Sequence, residues 1–152
     1  MSSRDSSPTA LGQDPANRRP KLIVGYDGSD SARRALERIA RFARPETQVV
    51  VIAAVEPYPG SGVTIPVNED HAEVRQRRKD LVEAQALLEG YGVDASTQLL
   101  HGDPADALID AAKDADLAVV GSRNLSRLQS FVLGSVSSRV VSSAPCDVLV
   151  VR

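Results

Sequence analysis

A segment bounded by two glycines, from Gly121 to Gly134, is the part of the sequence best suited to chemistry. It follows the apolar run 117–120 and precedes Ser135 and the stretch 136–141, which has the pattern of a helix. Glycines let backbone N–H groups approach a ligand closely, and a helix start offers unpaired donors and the positive end of its dipole. We therefore expect this loop to bind a nucleotide phosphate. The alternative is an ordinary connection between a strand and a helix.

The composition is typical of a soluble globular domain and argues against several classes of function. The 152 residues fit one domain, and a net charge of −2 lacks the basic excess of a nucleic-acid or membrane-surface binder. No apolar run approaches the roughly 20 residues that span a bilayer, and the N-terminus lacks the apolar core of a secretory signal. The single cysteine, Cys146, excludes an internal disulfide and a cysteine metal cage. We expect a cytoplasmic protein with no nucleic-acid or membrane partner.

The elements that must position the loop are predicted to be strands that alternate with helices. Residues 1–20 are polar, rich in Ser and Pro and without periodicity, which predicts a flexible N-terminal tail before a domain at 21–152. Helices are expected after a cap at Ser29 or Asp30, at about 68–89, after a cap at Asp103, and at about 135–143. Strands are predicted at 21–26, 47–55, 93–100, 117–120 and 147–152.

This alternation favours an α/β fold with a five-stranded parallel sheet and helices on both faces. With right-handed crossovers the strands can take the order 3-2-1-4-5, in which the winding reverses between the first and fourth strands. Ligands of such sheets bind at this reversal, beyond the carboxyl ends of the strands. The first strand ends at Asp27 and the fourth at Gly121, so these two residues are expected in one crevice. Asp27 followed by Gly-Ser is also compatible with a simple turn.

Two segments near this crevice have distinct compositions. The loop 56–66 contains three prolines and two glycines, and its length lets it lie over the end of the sheet, where we expect a lid. In the next helix Arg75, Arg77, Arg78 and Lys79 form a charge run, which predicts a solvated face.

Six short motifs, in this order and spacing, resemble the universal stress protein family over residues 21–152. They are VGYDGS (24–29), VEP (55–57), GDPA (102–105), VGSR (120–123), LGSVS (133–137) and APCDVLVV (144–151). The resemblance implies a Rossmann-like nucleotide-binding α/β sandwich. ATP-binding members carry a glycine, two residues, a second glycine, nine residues, and a third glycine followed by Ser or Thr. Gly121, Gly134 and Ser135 match this pattern, whereas Asn124 replaces the second glycine.

Carried over position by position, the resemblance implies a set of ligand contacts. Asp27 would face the ribose and adenine or approach a phosphate-bound Mg²⁺, and the backbone near Ala54 would contact the adenine edge. Arg123 would make a charge-assisted contact to phosphate, unless it is an ordinary surface arginine. The implied nucleotide-binding residues are Gly25, Asp27, Ala54, Gly121, Arg123, Asn124, Gly134, Ser135 and Val136. The protein alone is not expected to hold a metal.

Signatures of catalysis are absent from the sequence. It contains neither the Gly-Lys-Ser/Thr of a P-loop nor the glycine triplet of dinucleotide-binding folds. The two histidines, His71 and His101, lack metal-ligand spacing and an adjacent nucleophile, and no general base is expected near the loop. We therefore expect binding rather than catalysis, with slow ATP hydrolysis left open.

The resulting hypothesis is a stress-response or regulatory protein that binds ATP (or AMP), with or without Mg²⁺, and signals to an unidentified regulatory partner. One alternative is a cyclic-nucleotide-binding member of the family. Another is a ligand-free interaction module that works by dimerisation. The last strand, 147–152, lies at the sheet edge in the predicted order and is apolar, so we expect a homodimer through it.

Asn124 tests whether the loop is built for phosphate. Asn tolerates left-handed backbone better than other non-glycine residues, but its side chain adds bulk where phosphate oxygens would approach. We expect Asn124→Gly to strengthen ATP binding, measured as a lower Kd in calorimetric titration. Unchanged affinity would mean that this position does not limit binding.

Overall fold

The computed structural model describes residues 18–56, 71–122 and 133–152, and arranges them as a five-stranded parallel sheet with helices on both faces. The elements in chain order are β1 (Lys21–Gly25), α1 (Asp30–Phe42), β2 (Gln48–Val55), α2 (Ala72–Gly90), β3 (Ala95–His101), α3 (Pro104–Ala112), β4 (Leu117–Gly121), α4 (Ser135–Ser143) and β5 (Asp147–Val151). The sheet has the order β3-β2-β1-β4-β5, which confirms the predicted order. Within the described ranges no helix is both long enough and apolar enough to cross a membrane.

The sheet separates two apolar cores. Alternate residues of β2 illustrate this, because Val49 and Val51 pack in one core while Val50 and Ile52 pack in the other. The first core is completed by α1 and α2, and the second by α3 and α4. A central strand covered on both faces must be apolar at nearly every position, which is why 49–55 reads as a continuous apolar run.

The ends of the elements are fixed by local hydrogen bonds. Ser29 caps α1, since its Oγ accepts from the N–H of Ala32 at 3.2 Å. Asp103 caps α3 in the same way, accepting from the N–H of Asp106 at 3.0 Å, and Pro104 occupies the first helical position. Both helix starts were predicted from these residue types, with Asp30 as the alternative cap of α1.

The third strand begins two residues later than predicted, at Ala95 rather than Val93, because α2 ends in a Schellman motif. Gly92 has a φ of 76°, and its N–H donates to the carbonyl of Glu89. The N–H of Val93 donates to the carbonyl of Leu88, so Val93 closes the helix instead of opening the strand.

Residues 18–20 contact the domain at the amino ends of the strands. The Arg18 guanidinium pairs with the carboxylate of Asp116, and the Lys21 N–H donates to the same carboxylate at 2.7 Å. The carbonyl of Pro20 accepts from the N–H of Gln48 at 2.8 Å. The rest of the predicted tail, 1–17, lies outside the described residues, as does the predicted lid beyond Glu56.

Candidate functional site

A pocket opens at the carboxyl edge of the sheet, where β1 and β4 are neighbours and the winding reverses. Its cavity volume is about 140 Å³. Every predicted site residue that the structure describes lines this pocket: Gly25, Asp27, Ala54, Gly121, Gly134, Ser135 and Val136. The other two, Arg123 and Asn124, lie outside the described residues.

Two strand-end glycines form the floor of the pocket for steric reasons. A Cβ on Gly121 would lie 2.5 Å from the carbonyl carbon of Ser31, so the backbone of α1 packs directly on the end of β4. A Cβ on Gly25 would lie 2.8 Å from Cδ1 of Leu108 in α3. Glycine at 121 is therefore required by the packing of the α1 backbone, whereas at Gly25 the close atom is the end of the Leu108 side chain, which can shift. Both glycines leave the strand backbone open to a ligand.

The turn after β1 forms one wall. Oδ1 of Asp27 accepts from the N–H of Ser29 at 3.0 Å, and Gly28 between them has a φ of 79°, in the left-handed region. Ser29 and Ser31, whose hydroxyl oxygens are 3.2 Å apart, continue this wall into α1. The result is a polar wall whose backbone path is set by hydrogen bonds.

The start of α4 forms the wall at the end of β4. Gly134 is the N-cap residue with φ −66° and ψ 166°, and it offers no side chain to cap the helix. The N–H of Ser138 is bonded to the carbonyl of Gly134, so the preceding N–H groups of the first turn have no partner of this helical type. Ser135, Val136 and Ser137 therefore bring helix-terminal donors to the pocket. This is the arrangement that favours an anion.

An arginine that was not predicted as a site residue also lines the pocket. The charge run in α2 was expected to be solvated, and for Arg77 this was wrong: its side chain is only 26 % exposed. It pairs at 3.1 Å with Asp80, whose side chain is 8 % exposed. The signal in the sequence was Asp80 itself. It lies beside Leu81, on the side of the helix that carries the buried Val74 and Ala84, where a carboxylate needs a partner.

Two titratable groups beside the pocket, Tyr26 and Asp103, have shifted pKa values. Burial, then the Asp80 carboxylate, raises the pKa of Tyr26, so its phenol stays neutral at physiological pH. The N–H of Asp106 and the Arg139 guanidinium lower the pKa of Asp103, the cap of α3. Arg139 also bonds Asp106, which ties α4 to α3 beside the pocket. Among the described residues no group of three His, Cys, Asp or Glu side chains could hold a metal ion.

Comparison with known proteins identifies similar chains along the whole domain. The model of the universal stress protein family matches residues 19–152. A universal stress protein of Thermus aquaticus is 38% identical over 138 residues, covering 86% of this chain and 97% of the relative. The family match includes every strand, every helix and every described residue that lines the pocket.

Solved structures that resemble this chain are also universal stress proteins. A universal stress protein in complex with cAMP is 31% identical, with a TM-score of 0.69, and the match covers 88% of this chain and 97% of that one. The universal stress protein of Archaeoglobus fulgidus in complex with dAMP is 26% identical, with a TM-score of 0.68 and coverages of 89% and 98%. These proteins share the fold of the present chain.

The close packing at Gly121 makes a direct prediction about stability. Gly121→Ala places a methyl group against the backbone of α1, which cannot rotate away, and should lower the free energy of unfolding by about 1–3 kcal/mol in urea denaturation. Gly90→Ala is the matched control. Its Cβ meets nothing within 4 Å at the end of α2, so it should be neutral or stabilise by up to about 1 kcal/mol. Equal stability of the two variants would contradict the packing argument.

Proposed function

Because the chain belongs to the universal stress protein family, we propose that its pocket binds an adenine nucleotide, with ATP (or AMP) as the ligand, with or without Mg²⁺. The observation that carries the proposal is that Asp27 and the uncapped start of α4 line one pocket at the winding reversal of the sheet. Relatives solved with cAMP and with dAMP support an adenine nucleotide as the class of ligand.

The chemistry of the lining suggests how the ligand lies. The phosphates belong at Gly134, Ser135 and Val136, where helix-terminal N–H groups offer donors and a positive potential. The base belongs at the apolar part of the pocket near Ile52 and Ala54. Asp27, at the end of β1, is then placed to accept from ribose hydroxyls. Arg123 and Asn124 keep their predicted roles next to the phosphates.

We propose a regulatory role for this binding, with little or no catalysis. The pocket lining consists mainly of backbone, small apolar groups and hydroxyls, and Tyr26 is held in its neutral form by its raised pKa. The free energy of nucleotide binding can then shift the equilibrium between conformations of the protein. A partner that binds one of these conformations would respond to the nucleotide concentration.

A cyclic nucleotide is the alternative ligand, favoured by the 31% identical relative solved with cAMP. The two candidates differ in phosphate charge and length. A triphosphate can reach the start of α4 with several oxygens, whereas a cyclic phosphate fused to the ribose presents one anionic group. A competition experiment between ATP and cAMP therefore shows which of the two candidate ligands the pocket prefers.

Titration calorimetry and thermal unfolding test the proposal on the whole chain. ATP with Mg²⁺ should bind and raise the unfolding temperature, because a ligand of the native state at 100 times its Kd stabilises it by about 2.7 kcal/mol. AMP, cAMP and adenosine complete the series. Absence of both heat and stabilisation at millimolar concentrations of all of them would rule out the proposal.

Ser135→Pro probes the phosphate end with little effect on folding. Proline is favoured at the first helical position, and Gly134 already has the extended backbone that a residue before proline requires. The variant removes one N–H donor and one hydroxyl, so its affinity for ATP should fall about tenfold while adenosine binding stays unchanged. Ser135→Ala keeps the N–H and is the matched control, with a smaller expected loss. Equal losses for ATP and adenosine would place the phosphates elsewhere.

We also propose that the chain forms a homodimer through β5. This strand lies at one edge of the sheet, contains neither Pro nor Lys, and exposes 38% of Leu149. Its backbone pairs with β4 on one side, and the other side is an edge that can pair with a second copy.

Leu149→Lys tests this interface. A charge at the centre of an edge strand disfavours strand pairing between two copies, so the variant should be monomeric in light scattering and sedimentation. Phe42→Lys, which alters another exposed apolar side chain at the end of α1, is the control and should remain dimeric. An unaltered dimer in Leu149→Lys would contradict the edge-strand interface.

A further inference from the structure

Arg77 connects α2 to the turn that follows β1, fifty positions earlier in the chain. Its NH1 group donates to the carbonyl oxygen of Asp27 at 2.7 Å and to Oδ2 of Asp80 at 3.1 Å. The side chain also lines the pocket. One guanidinium nitrogen therefore joins a buried carboxylate to the backbone of a residue in the proposed nucleotide site.

Asp80 holds this guanidinium in place. Its carboxylate is nearly inaccessible to solvent, and both of its oxygens have donors, because Gln76 Nε2 donates to Oδ1 at 2.8 Å. A buried carboxylate needs its cation, since leaving it unpaired costs far more than losing a surface ion pair. Arg77 is thus kept in one geometry before any ligand arrives.

The turn itself rests on the same carboxylate. Gly28 has a φ of 79°, and a Cβ there would lie 3.1 Å from the carboxylate atoms of Asp80. The N–H of Ser29 then bonds Oδ1 of Asp27 at 3.0 Å. The path of the turn and the orientation of the Asp27 side chain are consequently set from beneath by α2.

We infer that Arg77 is a positioning residue of the nucleotide pocket, which acts by fixing the Asp27 peptide so that the Asp27 carboxylate meets the ribose and base of the ligand. The inference rests on the proposed function and adds to it a residue outside the strand ends and the glycine loop. It assigns α2 a part in ligand affinity. Preorganisation of this kind raises affinity because the turn need not be ordered on binding.

Substitutions at Arg77 test the inference in the full chain by titration with ATP, AMP and adenosine. Arg77→Met keeps the length of the side chain without its donors and should weaken all three ligands about tenfold, the effect of one lost charge-assisted hydrogen bond. Arg77→Lys retains a cation that can bond both oxygens and should restore most of the affinity. Lys79→Met, in the same helix at an exposed position, is the matched control and should bind like the parent chain.

The pattern across ligands separates positioning from direct contact. An equal loss for adenosine, AMP and ATP supports the inference, whereas a loss that grows with the number of phosphates would show that Arg77 binds phosphate directly and would overturn it. In an Asp27→Ala background, Arg77→Met should cost little further affinity, because the carboxylate that it positions is gone. Full additivity of the two changes would also overturn it.

A purely structural role is distinguished by comparing stability with affinity. Lower stability with unchanged affinity in Arg77→Met would overturn the inference. If this variant does not fold because Asp80 is left unpaired, Arg77→Met combined with Asp80→Asn removes the uncompensated charge and takes its place in the titrations. The parent chain is measured alongside. If it binds no nucleotide the proposed function fails, and if it binds while the Arg77 variants bind equally well only the present inference fails.

Discussion

The direct contact between the backbone of α1 and the end of β4 is the constraint on which the pocket depends. No Cβ fits at Gly121, because it would lie 2.5 Å from the carbonyl carbon of Ser31. Since β1 leads into α1 and also pairs with β4, this one contact fixes the turn at Asp27 relative to the strand that precedes α4. A wider spacing would separate the two walls. A side chain at position 121 would also separate the two walls. The geometry of the site therefore depends on the lack of a Cβ at Gly121.

The helix starts at this edge of the sheet are capped unequally, and the difference has a physical meaning. Ser29 and Asp103 satisfy N–H groups at the starts of α1 and α3 with their own side chains. Gly134 at the start of α4 cannot do so. Glycine at an N-cap costs only a few tenths of a kcal/mol relative to Ser or Asp. Gly134 thus leaves the first turn of α4 without a side-chain cap at little cost in stability, beside the glycine at the end of β4. His71 at the start of α2 also makes no side-chain cap.

Features set by neighbours in sequence could be predicted from the sequence, and features set by distant side chains could not. The caps, the strand order and the placement of Asp27 and Gly121 follow from residue types, periodicity and chain handedness, and all of them are confirmed. Burial of Arg77 depends on a carbonyl fifty positions away. The local sequence around Arg77 contains no sign of the contact with the Asp27 carbonyl. The run of basic residues in α2 was therefore predicted to be solvated. Asp80 carried partial information, because a carboxylate among buried apolar residues requires a donor.

The construction of the pocket fits the proposed role in recognition rather than catalysis. The polar part of its lining comes from Asp27, Arg77 and serine hydroxyls, together with the backbone at the strand-end glycines and at the start of α4. Proton transfer would instead require a side chain with a pKa near neutrality, and burial raises the pKa of the Tyr26 phenol, away from neutrality.

The charged side chains at the Asp27 wall hold one another in place. Asp80 fixes Arg77, and Arg77 fixes the Asp27 backbone. Charges arranged in this way stabilise a shape, and a stable shape is what selective binding of a nucleotide demands.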